Sequence, residues 1–282
     1  MPGKSKVNPL PTSITAAQLT HFFRECFTKK IKQIRQNLDN TPSPHVPTDV
    51  SDIKTPLVQF HWYQKKVHSI LKKTVQKPCE LDPLPTSLLY ENVDLLPPAT
   101  TNIIIRLLLS GEIPIEFKTV VVKPPLKKAG LDPNLVKEYR PVSNLPFLST
   151  ILEKVVLTQL TNLLTSNHLT HKFQSAYRAG HNTQRVLLRI VNDFPTTFDA
   201  NQVSILNLLD LSAAFETILM SRLEQHFDVS GLALSWLKSY LSNTFQFVSI
   251  SSSSSKLSKL DYGVPQGSVL GPILFVLYTQ PL

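Results

Sequence analysis

Cysteine is nearly missing from this 282-residue chain. Cys26 and Cys79 form no CxxC pair and join no Cys/His cluster, which argues against a zinc centre or a disulfide framework and for a reducing compartment. The N-terminal Met1-Pro-Gly-Lys-Ser-Lys-Val-Asn lacks the apolar core of a signal peptide. No uncharged apolar stretch of about 18 residues marks a membrane span. Charged residues reach only 17% against 42% hydrophobic, a globular rather than a disordered composition. The expectation is a soluble, intracellular protein with no membrane partner. Nothing in the sequence separates nucleus from cytoplasm or fixes the oligomeric state.

The charge that is present leans one way. Lysine and arginine number 29 against 20 acidic residues, a net +9 and a pI near 9.5. Such a surplus suits a polyanionic partner, because each neutralised phosphate releases counterions, and it is equally ordinary solubility charge.

Hydrophobic periodicity orders the chain. Thr15 and Gln18 have capping-box spacing, and Leu19, Phe22, Phe23, Cys26, Phe27, Ile31, Ile34 and Leu38 follow at helical intervals. Arg24, Lys29, Lys30, Lys32 and Arg35 occupy the other side, a solvated face or one turned to RNA. Prolines 42, 44, 47 and 56 mark residues 40 to 56 as a linker. Helices are predicted from Leu57 to Val75, from Ser87 to Asn92 with Thr86 as cap, and from Pro98 to Leu109, ended by Ser110-Gly111. Thr119 to Lys123 reads as a short strand. A long helix dominates Asn144 to Asn167, and others cover Thr183 to Asp193, Ser221 to His226 and Leu232 to Ser242. The apolar run Val203 to Leu209 is predicted as a strand buried on both faces, and Phe245 to Ile250 as an alternating one. Ser249 to Ser255 is a hairpin tip. The fold class is α+β.

Several residues carry chemistry. Asp210 closes the Val203 to Leu209 run. Its carboxylate, with the backbone carbonyl of Leu211, is an oxygen set that a hard divalent cation takes; Asp210 equally serves as the N-cap of a following helix. Tyr262-Gly-Val-Pro-Gln-Gly-Ser-Val-Leu-Gly-Pro272 sets three glycines at intervals of four around Gln266, a backbone able to turn tightly and to approach a ligand. Arg140 lies in Lys137-Glu-Tyr-Arg-Pro-Val-Ser-Asn-Leu-Pro146, and Arg178 in Gln174-Ser-Ala-Tyr-Arg-Ala-Gly-His-Asn-Thr183. The planar guanidinium fork suits phosphate oxygens, and both are also compatible with ordinary loop salt bridges.

Taken in order, EYRPVSNLPFLSTILEKVV, QSAYRAGHNTQRVLLRIVND, LLDLSAAFE and YGVPQGSVLGPILFVLY resemble the reverse transcriptase of non-LTR (LINE-type) retrotransposons. Pro78 to Thr86 and Leu126 to Pro133 resemble the region leading into that domain. The resemblance implies a helical, proline-punctuated leader over 1–103 and a reverse transcriptase domain over 104–282, comprising the fingers and part of the palm of a right-hand polymerase. It implies RNA-directed DNA polymerisation with Mg²⁺, an RNA template, a DNA primer and dNTP as partners. Asp210 becomes the catalytic metal ligand with the Leu211 carbonyl beside it, and Phe215 the gate against a 2′-hydroxyl. Arg140 and Arg178 become contacts to template or triphosphate, and Gln266 with Gly267 a contact to the nascent pair.

The chain departs from that pattern. No Asp-Asp pair follows Asp210, and the family's Phe-Asp-Thr-Val-Asp-His run stands here as Phe215-Glu-Thr-Ile-Leu-Met220. One carboxylate does not hold two Mg²⁺ ions about 4 Å apart. The chain therefore reads as a fragment ending before the Ala-Asp-Asp motif, with a non-catalytic RNA- or DNA-binding module, or a retrotransposon remnant, as the alternatives. Purified protein is expected not to extend a primed homopolymer with Mg²⁺. Robust extension that Asp210→Asn abolishes would overturn that expectation.

Overall fold

The computed structural model describes residues 15–38, 53–62, 64–75, 77–171, 173–178, 180–206, 217–261 and 263–279, with backbone alone at 30–38 and 217–218. Its helices are α1 (Ala16–Leu38), α2 (Gln64–Lys73), α3 (Thr86–Glu91), α4 (Pro97–Leu109), α5 (Ile115–Lys118), α6 (Phe147–Ser166), α7 (Thr183–Asp199), α8 (Thr217–Gln225), α9 (Gly231–Leu241) and α10 (Gly271–Thr279). None of the described helices is long and apolar enough to cross a membrane.

One small mixed sheet organises these helices. β1 (Thr119–Lys123) is the run of valines expected as a strand. It pairs antiparallel with β2 (Val142–Asn144), Val122 opposite Ser143, and parallel with β3 (Thr244–Ile250), Val121 opposite Phe247. The other edge of β3 is shared by β4 (Ser253–Ser254) and β5 (Ser258–Leu260). The serine-rich tip is the β3–β4 turn, with Ser251 at φ +54°.

α1 covers one face of the sheet. The capping box forms as its spacing predicts: Gln18 N–H donates to the Thr15 hydroxyl at 3.4 Å, and Thr15 N–H to the Gln18 side chain at 3.1 Å. Leu19 and Phe23 then pack on Val120, Val122, Val248 and Ile250. Phe23 also meets the Tyr139 ring edge-on at 4.8 Å between centroids. The larger core joins α2, α4, α6, α8, α9 and α10, so Phe60 and Trp62 share one apolar cluster with Ile151, Trp236 and Leu274. Lys118 is buried where α9 ends. Its ammonium donates to the carbonyls of Ser239 (3.0 Å) and Ser242 (3.1 Å), a cation at a helix C-terminus, and burial pushes its pKa down.

The structure revises four expectations. Residues 57–62 are irregular rather than helical: Leu57 bridges Val229, and α2 begins only at Gln64. Phe60 and Trp62 are buried while His61 between them is exposed, an alternation of period two that helical counting passed over. At α3, Pro85 rather than Thr86 holds the N-cap position and Thr86 is buried in the first turn. α7 continues past Asp193 to Asp199 through Pro195, capped at its start by Asn182, whose side chain accepts Arg185 N–H at 2.8 Å. The Val203 to Leu209 strand is not formed in its described part, where residues 202–206 are irregular and Val203 and Ile205 lie exposed. Apolarity states that such a run would bury itself, not which surface it meets; both edges of β3 are already occupied. Of the linker at 40 to 56, residues 40–52 lie outside the described residues.

α6 is the central helix, and its start is capped from outside. Pro146 at the N-cap position has no side-chain acceptor, and the Asp82 carboxylate accepts the Phe147 N–H at 2.7 Å instead. Burial raises the Asp82 pKa, and the Phe147 N–H works against that shift. Asp82→Ala is expected to lower unfolding stability by about 1–2 kcal/mol, the usual cost of a lost cap, as read from urea melts. No change in midpoint would show that Phe147 N–H finds another acceptor.

Candidate nucleic-acid interface

The glycine-rich loop runs from β5 to α10 and rests on β2. Gly263 (φ +80°) and Gly267 (φ +114°) take left-handed backbone. The Gln266 carbonyl accepts the Ser143 N–H at 2.8 Å, and a Cβ added to Gly267 would stand 3.0 Å from the Ser143 carbonyl oxygen. Glycine at 267 is thus required by the contact with β2. Ser268 turns the chain by donating its N–H to the Pro265 carbonyl, and its hydroxyl accepts the Gly271 N–H at 3.1 Å, as a capping serine does at a helix start.

Arg140 is held one residue ahead of the proline that precedes β2. Its N–H donates to the Pro125 carbonyl at 3.0 Å, while neighbouring Tyr139 is buried and donates its hydroxyl to the Pro133 carbonyl at 2.9 Å. The exposed guanidinium of Arg140 lines a cavity of about 650 Å³ together with Gln266. Lys127 and Lys137 line it too, Cys26 and Phe27 of α1 form another wall, and no acidic side chain is among the lining residues. Lys127 is oriented by its bond to the Lys137 carbonyl. Burial pushes the Cys26 thiol above its ordinary value, so the wall presents a neutral sulfur.

The other predicted residues are distributed differently. Gly267 lines a separate cavity of about 310 Å³ with Lys154 and Thr74, whose side chains meet at 2.8 Å. Arg178 lines a cavity of about 650 Å³ between α6 and α10 and donates to the Gln174 carbonyl at 3.5 Å. Arg140 and Gln266 are therefore brought together, and Arg178 is not brought to them. Asp210, Leu211 and Phe215 lie outside the described residues. Among the described residues no group of three His, Cys, Asp or Glu side chains converges as a metal site.

The family described as "Reverse transcriptase (RNA-dependent DNA polymerase)" matches residues 126–282, more than half of the chain, including Lys127, Lys137, Arg140 and Gln266 of the cationic cavity. The chain belongs to the reverse transcriptase family. Its relatives include the probable RNA-directed DNA polymerase from transposon X-element of Drosophila melanogaster, 30% identical over 185 residues, or 64% of this chain and 20% of that protein. The RNA-directed DNA polymerases from mobile element jockey are similar: 30% identity over 56% of this chain and 17% of the relative for Drosophila melanogaster, and 31% over 55% and 17% for Drosophila funebris. These are non-LTR transposon proteins, in keeping with the LINE-type resemblance. The chain spans about a fifth of the length of such relatives.

This reverse transcriptase chain also holds a residue that sequence reasoning passed over. Glu153 sits on α6 among Ile151, Leu152, Val155 and Val156 and is 3% exposed. One carboxylate oxygen accepts the N–H groups of Val269 (2.5 Å) and Leu270 (3.2 Å), and the other the Tyr240 hydroxyl (3.0 Å). Burial pushes its pKa up to about 7, against the pull of the three donors. The available signal was an acid in the buried register of a long apolar helix, which calls for a dedicated partner.

The folded pKa lies above the unfolded value of 4.5, so the protonated form favours folding. That contribution is complete below about pH 4.5 and is lost as the pH rises through 7. The melting temperature is expected to fall from pH 5 to pH 8, and to fall less in Glu153→Gln, which keeps an acceptor and cannot ionise. Equal losses in the two proteins would remove Glu153 from the titration.

Proposed function

We propose that this chain supplies the fingers and part of the palm of an RNA-directed DNA polymerase, after a leader covering 1–103, and that its cationic cavity receives a template–primer duplex. What supports the reading is one juxtaposition: Arg140 and Gln266, distant in sequence, wall the same cavity with Lys127 and Lys137. A guanidinium fork and two ammonium groups match phosphate oxygens, and the Gln266 amide both donates and accepts towards a base edge. The roles of Asp210, the Leu211 carbonyl and Phe215 in metal and dNTP binding rest on the family resemblance. The role of Arg178 rests there too, with its separate cavity set aside for another part of the nucleic acid.

A binding-only function draws on the same cavity, and it differs in needing nothing from Asp210. Fluorescence anisotropy with a labelled oligo(rA)/oligo(dT) hybrid measures the shared step. Arg140→Ala is expected to weaken binding several-fold, and to lower the slope of log affinity against log salt by about one. Asp210→Asn should leave that binding intact. Affinity that ignores both salt and Arg140 would remove the cavity from either reading.

A further inference from the structure

The loop that carries Gln266 is tied down at two points. Upstream, the Gln266 carbonyl accepts the Ser143 N–H at 2.8 Å. Downstream, Val269 and Leu270 donate their N–H groups to Glu153, and only Gly267 and Ser268 separate the two ties. The downstream pair stand just ahead of α10, at the end of a helix that leaves its leading N–H groups without internal partners and favours negative charge. The ordinary local cap is partly in use elsewhere, since the Ser268 hydroxyl accepts from Gly271.

We propose that Glu153 is a positioning residue for the nucleic-acid interface: through the backbone of Val269 and Leu270 it sets where Gln266 stands on the wall of the cationic cavity. The coupling of Glu153 to the loop stands on geometry alone; its consequence for a template–primer duplex rests on the polymerase reading.

The surroundings of Glu153 direct any disturbance into the loop. From α9 it faces Tyr240, itself buried, and from the loop the two N–H groups. The adjacent Lys154 points away to Thr74. α6 is locked by Ile151, Leu152, Val155 and Val156, all buried in the main core. Removing the carboxyl group leaves two backbone donors and a phenol without an acceptor. Without Glu153 the stretch from Gly267 to Val269 keeps the Ser143 bond on one side and the buried Leu270 on the other, and it moves more readily than a helix held along its length by a packed core.

The test is amide hydrogen exchange on the full chain, resolved by peptide, for wild type, Glu153→Gln, Glu153→Ala and Glu153→Leu. In Glu153→Ala, peptides covering 263–271 are expected to exchange about ten-fold faster while those of α6 and α9 stay within about two-fold, as for local rather than global opening. Glu153→Gln, which keeps an acceptor, should restore most of the protection. Loop exchange that does not change, or that accelerates equally with α6 and α9, would overturn the proposal and leave Glu153 an ordinary core group. If Glu153→Ala does not fold, Glu153→Leu, which fills the space and offers no acceptor, decides it: acceleration confined to 263–271 supports the coupling, and its absence overturns it. Parallel anisotropy with the oligo(rA)/oligo(dT) hybrid separates the two readings. A loop that responds in a chain that binds no hybrid sinks the polymerase interface and supports the coupling.

Discussion

Burial of one carboxyl group between three donors is the constraint on which the rest of the structure hangs. Glu153 joins α6 to α9 through Tyr240 and to α10 through the backbone of Val269 and Leu270. Each of these helices contributes to the main apolar core, which holds them in place. Directed hydrogen bonds add a penalty for misalignment, because a buried donor without its acceptor costs about 1–3 kcal/mol. The carboxyl group is costly to desolvate, and its site offsets that cost with donors that α10 would otherwise leave unpaired.

Charge and helix ends are matched elsewhere in the same way. Asp82 accepts from the start of α6, and Lys118 donates to the carbonyls at the end of α9. In both cases the partner comes from a different element, so the bond fixes tertiary arrangement as well as the helix terminus. Proline at 85, 114 and 146 stands at helix N-cap positions and has no side-chain acceptor, which is why α6 depends on a distant residue.

Local signals in the sequence were read well where a few neighbouring residues decide the outcome. The Thr15/Gln18 box, the β1 valines, the Ser110-Gly111 stop after α4 and the apolar face of α6 all act over a handful of positions. Readings failed where the deciding partner is remote. Residues 57–62 leave the helical pattern where Leu57 meets Val229, and the described residues 202–206 join no strand of the sheet. The site shows the same division. Arg140 and Gln266 were recognisable from their motifs, and their meeting in one cavity depends on β2 and the Ser143 tie. Glu153 was passed over because a glutamate on a helix ordinarily faces water, although its place in the apolar register of α6 was a signal. Only the fold shows that this one lies beneath the loop.

The parallel pairing of β1 with β3 has a consequence for how the chain is made. Val121 meets Phe247 only after everything between them has been synthesised, so the centre of the sheet is a non-local contact closed late. Until β3 emerges, Val120 and Val122 lack one of their two neighbours, and α1 has only half of the surface it is to cover. During translation the nascent chain carries an open strand edge flanked by apolar residues, the kind of surface that chaperones bind and that promotes misassociation. α1 is made long before β3, and it finds the whole of the surface it covers only once β3 has emerged.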